Sequence, residues 1–329
     1  MTSKEHSLSL KSLLVKFFQC REVGVIIPLV VLVVAISLRN PAFLSVNNLI
    51  DILRTTSYSL VMAAPLTCLM ITGDNDLTIG ACASLGGVCA AWGMISFGWG
   101  IGLSVLFALV VGAFCGLVKA VIVVDGKLPV FVAGLGLQYV INGFINITTS
   151  GNNITGVPDA FKVIGQNKFL GIHWTVYIAL ILAVAVHIML KYTRFGREIY
   201  AVGGNRETAR LAGINVRKIR FILHIATSVF AALCGVLMAS RFSSAQVTAG
   251  AGKELTLMSA VIIGGTSFGG GSGGALGTLL GCLMLAVIDN GLVLMRVSSY
   301  WTNLVFGAIL IISLFMDLIR EKKSAGGAR

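Results

Sequence analysis

The sequence predicts an all-α polytopic membrane protein, and three observations lead to this fold class. The chain is 56% hydrophobic with a mean hydropathy of +0.92. Only 12% of its residues are charged, whereas a soluble domain carries about 25%. Its apolar residues also fall into about ten segments, most of them close to the roughly 20 helical residues that cross a hydrocarbon core of about 30 Å.

Ten apolar segments are predicted to be membrane helices, and together they form one domain over residues 23–320. The segment at 256–268 is short, and we expect it to be broken. The predicted segments are 23–38, 56–72, 77–97, 101–124, 128–148, 173–190, 220–242, 256–268, 274–295 and 299–318.

The basic residues predict how these helices are oriented. Residues 1–22, 191–220 and 320–329 hold 4, 8 and 4 of the 25 Lys and Arg residues, and basic clusters beside membrane spans mark the cytoplasmic side. An even number of spans places both termini there, so residues 1–22 and 321–329 are predicted cytoplasmic segments. The loop 191–219 is cytoplasmic as well, and 150–172 lies outside. This distribution accounts for the net charge of +12 without nucleic-acid binding.

Two segments predict breaks in otherwise apolar helices. "GDND" interrupts the chain near 72–78, and "GGTSFGGGSGG" at 264–274 has seven glycines in eleven residues. Glycine at this density does not sustain a helix, and unwound backbone at membrane depth requires surrounding protein or water. We expect these breaks to be re-entrant. The glycines assigned to them are Gly73, Gly264, Gly265, Gly269 and Gly270.

The two acids of the first break have different predicted roles. Asp76 precedes the next helix, so we expect it to act as an N-cap, where the helix dipole favours its charge. Asp74 is not needed for that cap, and a carboxylate at the bilayer centre costs about 2.5–3.5 kcal/mol. It therefore either reaches cytoplasmic water or faces a polar pathway, and the sequence alone does not choose between these.

Small residues at four-residue spacing predict close helix packing, because membrane helices associate through small side chains. Two such ladders are Ala108–Gly112–Gly116–Ala120 and Gly273–Gly277–Gly281. No Cys or His spacing predicts a metal site. No P-loop motif is present, so ATP, if it drives the protein, is bound by another chain.

The cytoplasmic loop predicts a short helix outside the membrane, with Asn205 as its N-cap, Glu207 in its first turn and Gly213 past its end. Such a helix is a natural docking element for a soluble partner, although a plain solvated basic loop is the alternative. Residues 207–213, "ETARLAG", resemble the loop through which permeases of bacterial ABC importers contact their ATPase subunit. The resemblance assigns this coupling role to Arg206, Glu207, Thr208, Ala209, Arg210 and Gly213.

The chain is similar to the ribose, galactose, xylose and arabinose permease family. The similarity includes "NPAFLSVNNL" (40–49), Thr193 to Gly213, "GGTSFGG" from Gly264 and "NGL…VSSYW" from Asn290. It implies a non-catalytic permease of the bacterial inner membrane, with no cofactor of its own. The implied partners are an ATPase subunit binding ATP-Mg at two sites, a periplasmic sugar-binding protein and a second permease copy, identical or related. Which sugar or polyol is carried stays open.

A neutral sugar needs a polar path without a fixed counter-ion, and several side chains could line one. Each of them has an alternative role in helix packing or, for Trp301, in anchoring to headgroups. The candidates for this path are Asp74, Asn75, Asp76, Asn142, Asn290, Ser298, Ser299 and Trp301.

The main alternative is an ion-coupled secondary transporter in which Asp74, Asp76 or Asp289 carries a proton or sodium ion. The "ETARLAG" loop favours the ATP-driven importer, because an ion-coupled carrier does not need it. A membrane enzyme is disfavoured, because no convergent nucleophile, base or metal cluster is present in the sequence.

Overall fold

The computed structural model describes residues 23–298, 301 and 304–315. They form a helical bundle with two short antiparallel strand pairings: β1 (Ile154–Thr155) with the distant β4 (Ser244–Ala245), and β2 (Lys168–Phe169) with β3 (Ile172–His173) in a hairpin. A 3₁₀ turn covers Pro41–Leu44, and a π turn, Val121–Asp125, extends α4. The helices are α1 (Val23–Arg39), α2 (Val46–Ile71), α3 (Ile79–Ile95), α4 (Ile101–Ala120), α5 (Val130–Thr149), α6 (Asp159–Gln166), α7 (Trp174–Tyr192), α8 (Arg194–Gly204), α9 (Arg206–Leu211), α10 (Val216–Phe242), α11 (Lys253–Ile263), α12 (Ala275–Leu294) and α13 (Leu304–Phe315).

The predicted all-α polytopic membrane fold is confirmed. Each of the ten predicted segments contains a helix, and five helices of the described residues are long and apolar enough to cross a membrane: α4 with its π turn, α5, α7, α10 and α12. Three shorter apolar helices are α1, α3 and α13. The two remaining segments correspond to α2, which begins ten residues earlier than predicted, at Val46, and to the short α11.

The core is built around α10, against which α3 and α4 pack. The glycine positions show how close these helices come. A Cβ atom on Gly235 of α10 would lie 1.7 Å from the carbonyl oxygen of Ala83 in α3. On α4, a Cβ on Gly112 or Gly116 would lie within 2.7 Å of α10 atoms. The small-residue ladders therefore pack helix against helix, as expected from the sequence.

Both predicted breaks are confirmed. Helix α2 ends at Ile71 and α3 begins at Ile79, while α11 ends at Ile263 and α12 begins at Ala275. The first break turns through Gly73 at φ 78°. The second uses several left-handed glycines, including Gly265 at φ 90° and Gly270 at φ 93°. Residues with a side chain rarely adopt this backbone conformation, which explains the glycine at position 73 of the first break and the glycine-rich sequence of the second.

The segment between α10 and α11 turns back into the bundle. The backbone N–H of Gly250 donates to the hydroxyl of Ser84 in α3 (3.0 Å). A Cβ on Gly80 would lie 2.2 Å from the carbonyl oxygen of Gly250. Helix α3 therefore begins inside the bundle, where it packs against the loop that follows the C-terminal end of α10.

Candidate functional site

The short helix α9 has the local structure that the sequence predicts. The side chain of Asn205 caps it by accepting hydrogen bonds from the backbone N–H groups of Glu207 and Thr208, both at 2.9 Å. Gly213 follows its end with φ 81°. Ala209 is buried and holds the helix against the bundle, whereas Leu211 is 78% exposed. Helix α9 is thus a rigid, capped element with an outward face.

The outward face carries an exposed ion pair. Arg210 donates to Glu207 at 2.8 Å, and Thr208 beside them is also exposed. A solvated pair of this kind contributes little stability by itself. These three predicted coupling residues are therefore free to meet another surface.

Arg206 is 43% exposed and also reaches into the bundle. Its guanidinium turns inward and donates to the carbonyl oxygen of Thr72 (3.0 Å) and to Oδ1 of Asp74 (2.7 Å). Asp74 and Thr72 belong to the first helix break. One side chain therefore joins α9 to that break directly.

Asp74 is fully buried and surrounded by basic groups. Besides Arg206, it accepts two hydrogen bonds from Arg220 of α10, from Nε to Oδ2 at 2.7 Å and from Nη2 to Oδ1 at 3.1 Å. Nε2 of His224 lies 3.2 Å from Oδ2. Asp74 itself does not reach open water in this structure, and it is the centre of an ionic cluster; its place on a polar pathway stays a prediction.

Asp76 is not the N-cap that the sequence predicted. The N-cap of α3 is Thr78, two residues further on, and Oδ1 of Asp76 accepts hydrogen bonds from the N–H (2.9 Å) and the hydroxyl (2.6 Å) of Thr78. Its other carboxylate oxygen pairs with Lys119 of α4, which is also buried. Sequence reasoning missed this lysine, although a lysine within the apolar segment 101–124 was a signal for a buried acidic partner.

The two helix breaks meet each other beside α8 and α9. The N–H of Gly271 donates to the carbonyl oxygen of Ile71 at 2.8 Å. At the same place, a Cβ on Gly203 would lie 1.7 Å from that carbonyl oxygen. The hydroxyl of Tyr200 donates to the carbonyl oxygen of Gly273 at 2.7 Å. We call this meeting point of residues 71–74, 203–206 and 269–273 the coupling junction.

An open groove of about 450 Å³ lies on the coupling junction. It contains glycines assigned to both breaks together with the first residues of α9. Its lining comprises Thr72, Gly73, Val202, Gly203, Gly204, Asn205, Arg206, Glu207 and Gly269.

The predicted substrate candidates do not form one cluster. Asn142 lines a polar cavity between α3 and α5. Asn290 instead exchanges two hydrogen bonds with Asn48, at 3.0 and 2.8 Å, which joins α12 to α2. Asn75 has a buried side-chain oxygen without a hydrogen-bond partner among the described residues. The remaining candidates lie apart from these: Ser298 and Trp301 are exposed, and Ser299 lies outside the described residues.

A bundle of membrane-length helices, interrupted twice at a junction with an exposed capped helix, defines a multi-pass transport permease. The chain belongs to the family described as branched-chain amino acid transport system / permease component, which matches residues 48–314.

Several similar proteins have names that describe them as import permeases. The chain is 38% identical over 300 residues to the ribose import permease protein of Escherichia coli K12, covering 89% of this chain and 92% of the relative. It is 34% identical to the Bacillus subtilis ribose import permease protein (93% and 94% covered). It is 31% identical to the autoinducer 2 import system permease protein of Salmonella typhi (92% and 88% covered). No solved structure matches the chain. The resemblance to sugar permeases is therefore confirmed.

Proposed function

We propose that this chain is the permease subunit of an ATP-binding cassette importer that moves a monosaccharide or a similar small polyol into the cytoplasm. ATP-Mg is bound and hydrolysed by a separate subunit, and the permease itself is non-catalytic and holds no cofactor. Relatives named for ribose import cover about nine-tenths of the chain at 34–38% identity, which supports the sugar class.

The observation that carries this proposal is the link from α9 to the first helix break. An exposed, capped helix offers a docking surface, and the inward bond from Arg206 to Asp74 connects that surface to unwound backbone inside the bundle. A partner that displaces α9 therefore acts on the break through a charge-assisted hydrogen bond. An importer driven from a neighbouring subunit needs such a connection.

The orientation follows from the charge distribution. The α9 end of the bundle faces the cytoplasm, together with both chain termini, and the β1–β4 end faces the periplasm. Two permease copies, identical or related, present two ATPase docking sites on the cytoplasmic side. A soluble sugar-binding protein delivers the cargo on the opposite side.

An ion-coupled carrier has less support. Asp74 and Asp76 are both engaged by basic side chains, so neither offers an unpaired carboxylate for a proton or sodium ion. Asp289 is only partly buried, on α12. None of the relatives described above is named as an ion-coupled carrier.

The docking role of α9 is tested by placing a charge on its exposed apolar residue. In the permease co-expressed with its ATPase subunit, Leu211→Asp is expected to reduce ATPase co-purification at least about tenfold, because an unpaired charge in an interface is costly. The matched control is Leu170→Asp, which changes an equally exposed leucine (84%, against 78% for Leu211) at the other end of the bundle. That control should retain the ATPase.

The energy source is tested in proteoliposomes containing the whole importer. Uptake should stop without ATP and should continue when an ionophore collapses the ion gradients. Uptake that needs the gradient and survives ATP removal would reject the importer in favour of the ion-coupled carrier.

A further inference from the structure

A polar cavity lies inside the bundle, away from the coupling junction. It has a volume of about 170 Å³, which is room for several water molecules at about 30 Å³ each. Helix α5, the start of α3 and the loop that turns back after α10 line it, and it is open to solvent beside the exposed Asn146, Thr248 and Ala251. The lining residues are Ala81, Ser84, Gln138, Asn142, Asn146, Val247, Thr248 and Ala251.

Helix α5 contributes three carboxamides to this cavity at four-residue spacing, so Gln138, Asn142 and Asn146 share one face. With a rise of 1.5 Å per residue, they lie about 12, 18 and 24 Å along α5 from Val130. The hydrocarbon core is about 30 Å thick. The ladder therefore runs from the middle of the membrane towards the end of the bundle that carries β1 and β4.

Only Gln138 of this ladder joins its helix to another by a side-chain hydrogen bond among the described residues. Among the described residues, Asn142 and Asn146 make no side-chain hydrogen bonds, whereas Asn48 and Asn290 elsewhere in the protein satisfy each other. Gln138 donates to Oε1 of Glu254 at 3.0 Å. The second oxygen of that carboxylate, Oε2, is buried and has no partner among the described residues.

Asn142 is partly buried and Asn146 is exposed, so their amide groups, which lack side-chain partners among the described residues, are accessible to a solute that enters the cavity. We propose that this cavity is the binding site for the cargo inside the permease and that Gln138, Asn142 and Asn146 hydrogen-bond the hydroxyl groups of a neutral polyhydroxylated solute. The inference rests on the proposed function, because it takes the solute to be the imported sugar.

The chemistry of the lining selects a neutral polyol over the other cargo class that the family description suggests. Carboxamides both donate and accept hydrogen bonds, as each hydroxyl of a sugar does. No basic side chain lines the cavity, so the carboxylate of an amino acid would lack a counter-charge there. The nearby Glu254 would further repel an anion. A site with these groups therefore fits a sugar and disfavours a branched-chain amino acid.

The test uses the complete importer in proteoliposomes, with the binding protein saturated by D-ribose or by its 2-deoxy or 5-deoxy analogue. Saturation makes the maximal uptake rate report on steps within the permease rather than on the affinity of the binding protein. Asn142→Leu is expected to lower the maximal rate for D-ribose about tenfold, because one sugar hydroxyl loses its partner. For the analogue lacking that hydroxyl, the loss should be markedly smaller.

The matched control is Tyr139→Phe, which removes a hydroxyl from an outward position of the same helix, where Tyr139 is exposed. It should leave uptake unchanged. The second variant is Asn146→Leu, near the end of α5. Because Asn146 is more exposed than Asn142, this substitution tests the cavity without disturbing the packing of the bundle. Both leucine variants should retain the bound ATPase subunit and its ATP hydrolysis.

The outcomes separate this inference from the proposed function. If the unaltered importer moves D-ribose with ATP but both leucine variants behave like Tyr139→Phe, or slow all three sugars equally, the cavity is not the cargo site. If the unaltered importer moves leucine with ATP and no neutral sugar, the proposed function itself is rejected.

Discussion

At the scale of single residues, the buried carboxylates of Asp74 and Asp76 are compensated by basic side chains that could not be identified as their partners from the sequence. Asp74 is held by Arg206, Arg220 and His224, and Asp76 by Lys119. Each partner lies between 43 and 150 residues away along the chain. Apolar periodicity identifies the spans that carry these residues, but it contains no information about which of them face each other.

The pair of Asp76 and Lys119 predicts non-additive effects on stability. Lys119→Met should destabilise the protein by about 3–5 kcal/mol, because it leaves a buried carboxylate without a counter-charge. The double variant Lys119→Met with Asp76→Asn removes both charges and should recover much of this loss. Thermal unfolding of the purified permease in detergent measures both effects. If the double variant is as unstable as Lys119→Met alone, the charge of Lys119 does not offset the cost of burying the carboxylate of Asp76.

At the scale of elements, the prediction was strongest where local chemistry decides the structure. The polar tetrapeptide "GDND" predicted the first helix break and the density of glycine predicted the second. Asn205 and Gly213 predicted the ends of α9, because caps and left-handed turns depend on neighbouring residues. The N-cap assigned to Asp76 was wrong because α3 begins at Ile79, with Thr78 as its N-cap, rather than directly after Asp76. The contact between the two breaks could not be predicted, because it joins Ile71 to Gly271.

Two adjacent glycines of α8 test whether the coupling junction must stay closely packed. Gly203→Ala should abolish most sugar uptake and destabilise the protein by about 1–3 kcal/mol, since its Cβ would overlap the carbonyl oxygen of Ile71. Gly204→Ala is the control, because no atom lies within 4 Å of a Cβ placed there. ATP-dependent uptake and thermal unfolding are the measurements. Equal behaviour of the two variants would show that the close approach at Gly203 has no role.

At the scale of the whole molecule, hydropathy was enough to find the segments that carry the apolar helices, because lipid favours long apolar helices. It did not find the polar helices α6 and α8, which lie in predicted loops. Nor did it find the boundaries of α2 or the loop that re-enters after α10. Those depend on contacts between elements, as in the bond from Gly250 to Ser84. The polar cavity was anticipated only through Asn142, and its other members became recognisable once α3 and α5 were placed together.

The orientation of the molecule is testable with single cysteines in intact cells. The six cysteines of the described residues are buried, and Cys20 can be replaced by serine. Thr208→Cys on α9 should react with a membrane-impermeant maleimide only after the membrane is opened. Asn152→Cys, in the loop after α5, should react in intact cells with their outer membrane permeabilised. The reverse pattern would place α9 outside and contradict the importer.

The bond between Gly271 and Ile71 is made entirely by the main chain, and this has a consequence for how such a protein can diversify. A contact between backbone atoms persists through most substitutions, whereas the carboxamides of α5 change identity with a single codon. If the α5 carboxamides bind the cargo as proposed, selection or design could change the accepted cargo while leaving this backbone contact between the two helix breaks intact.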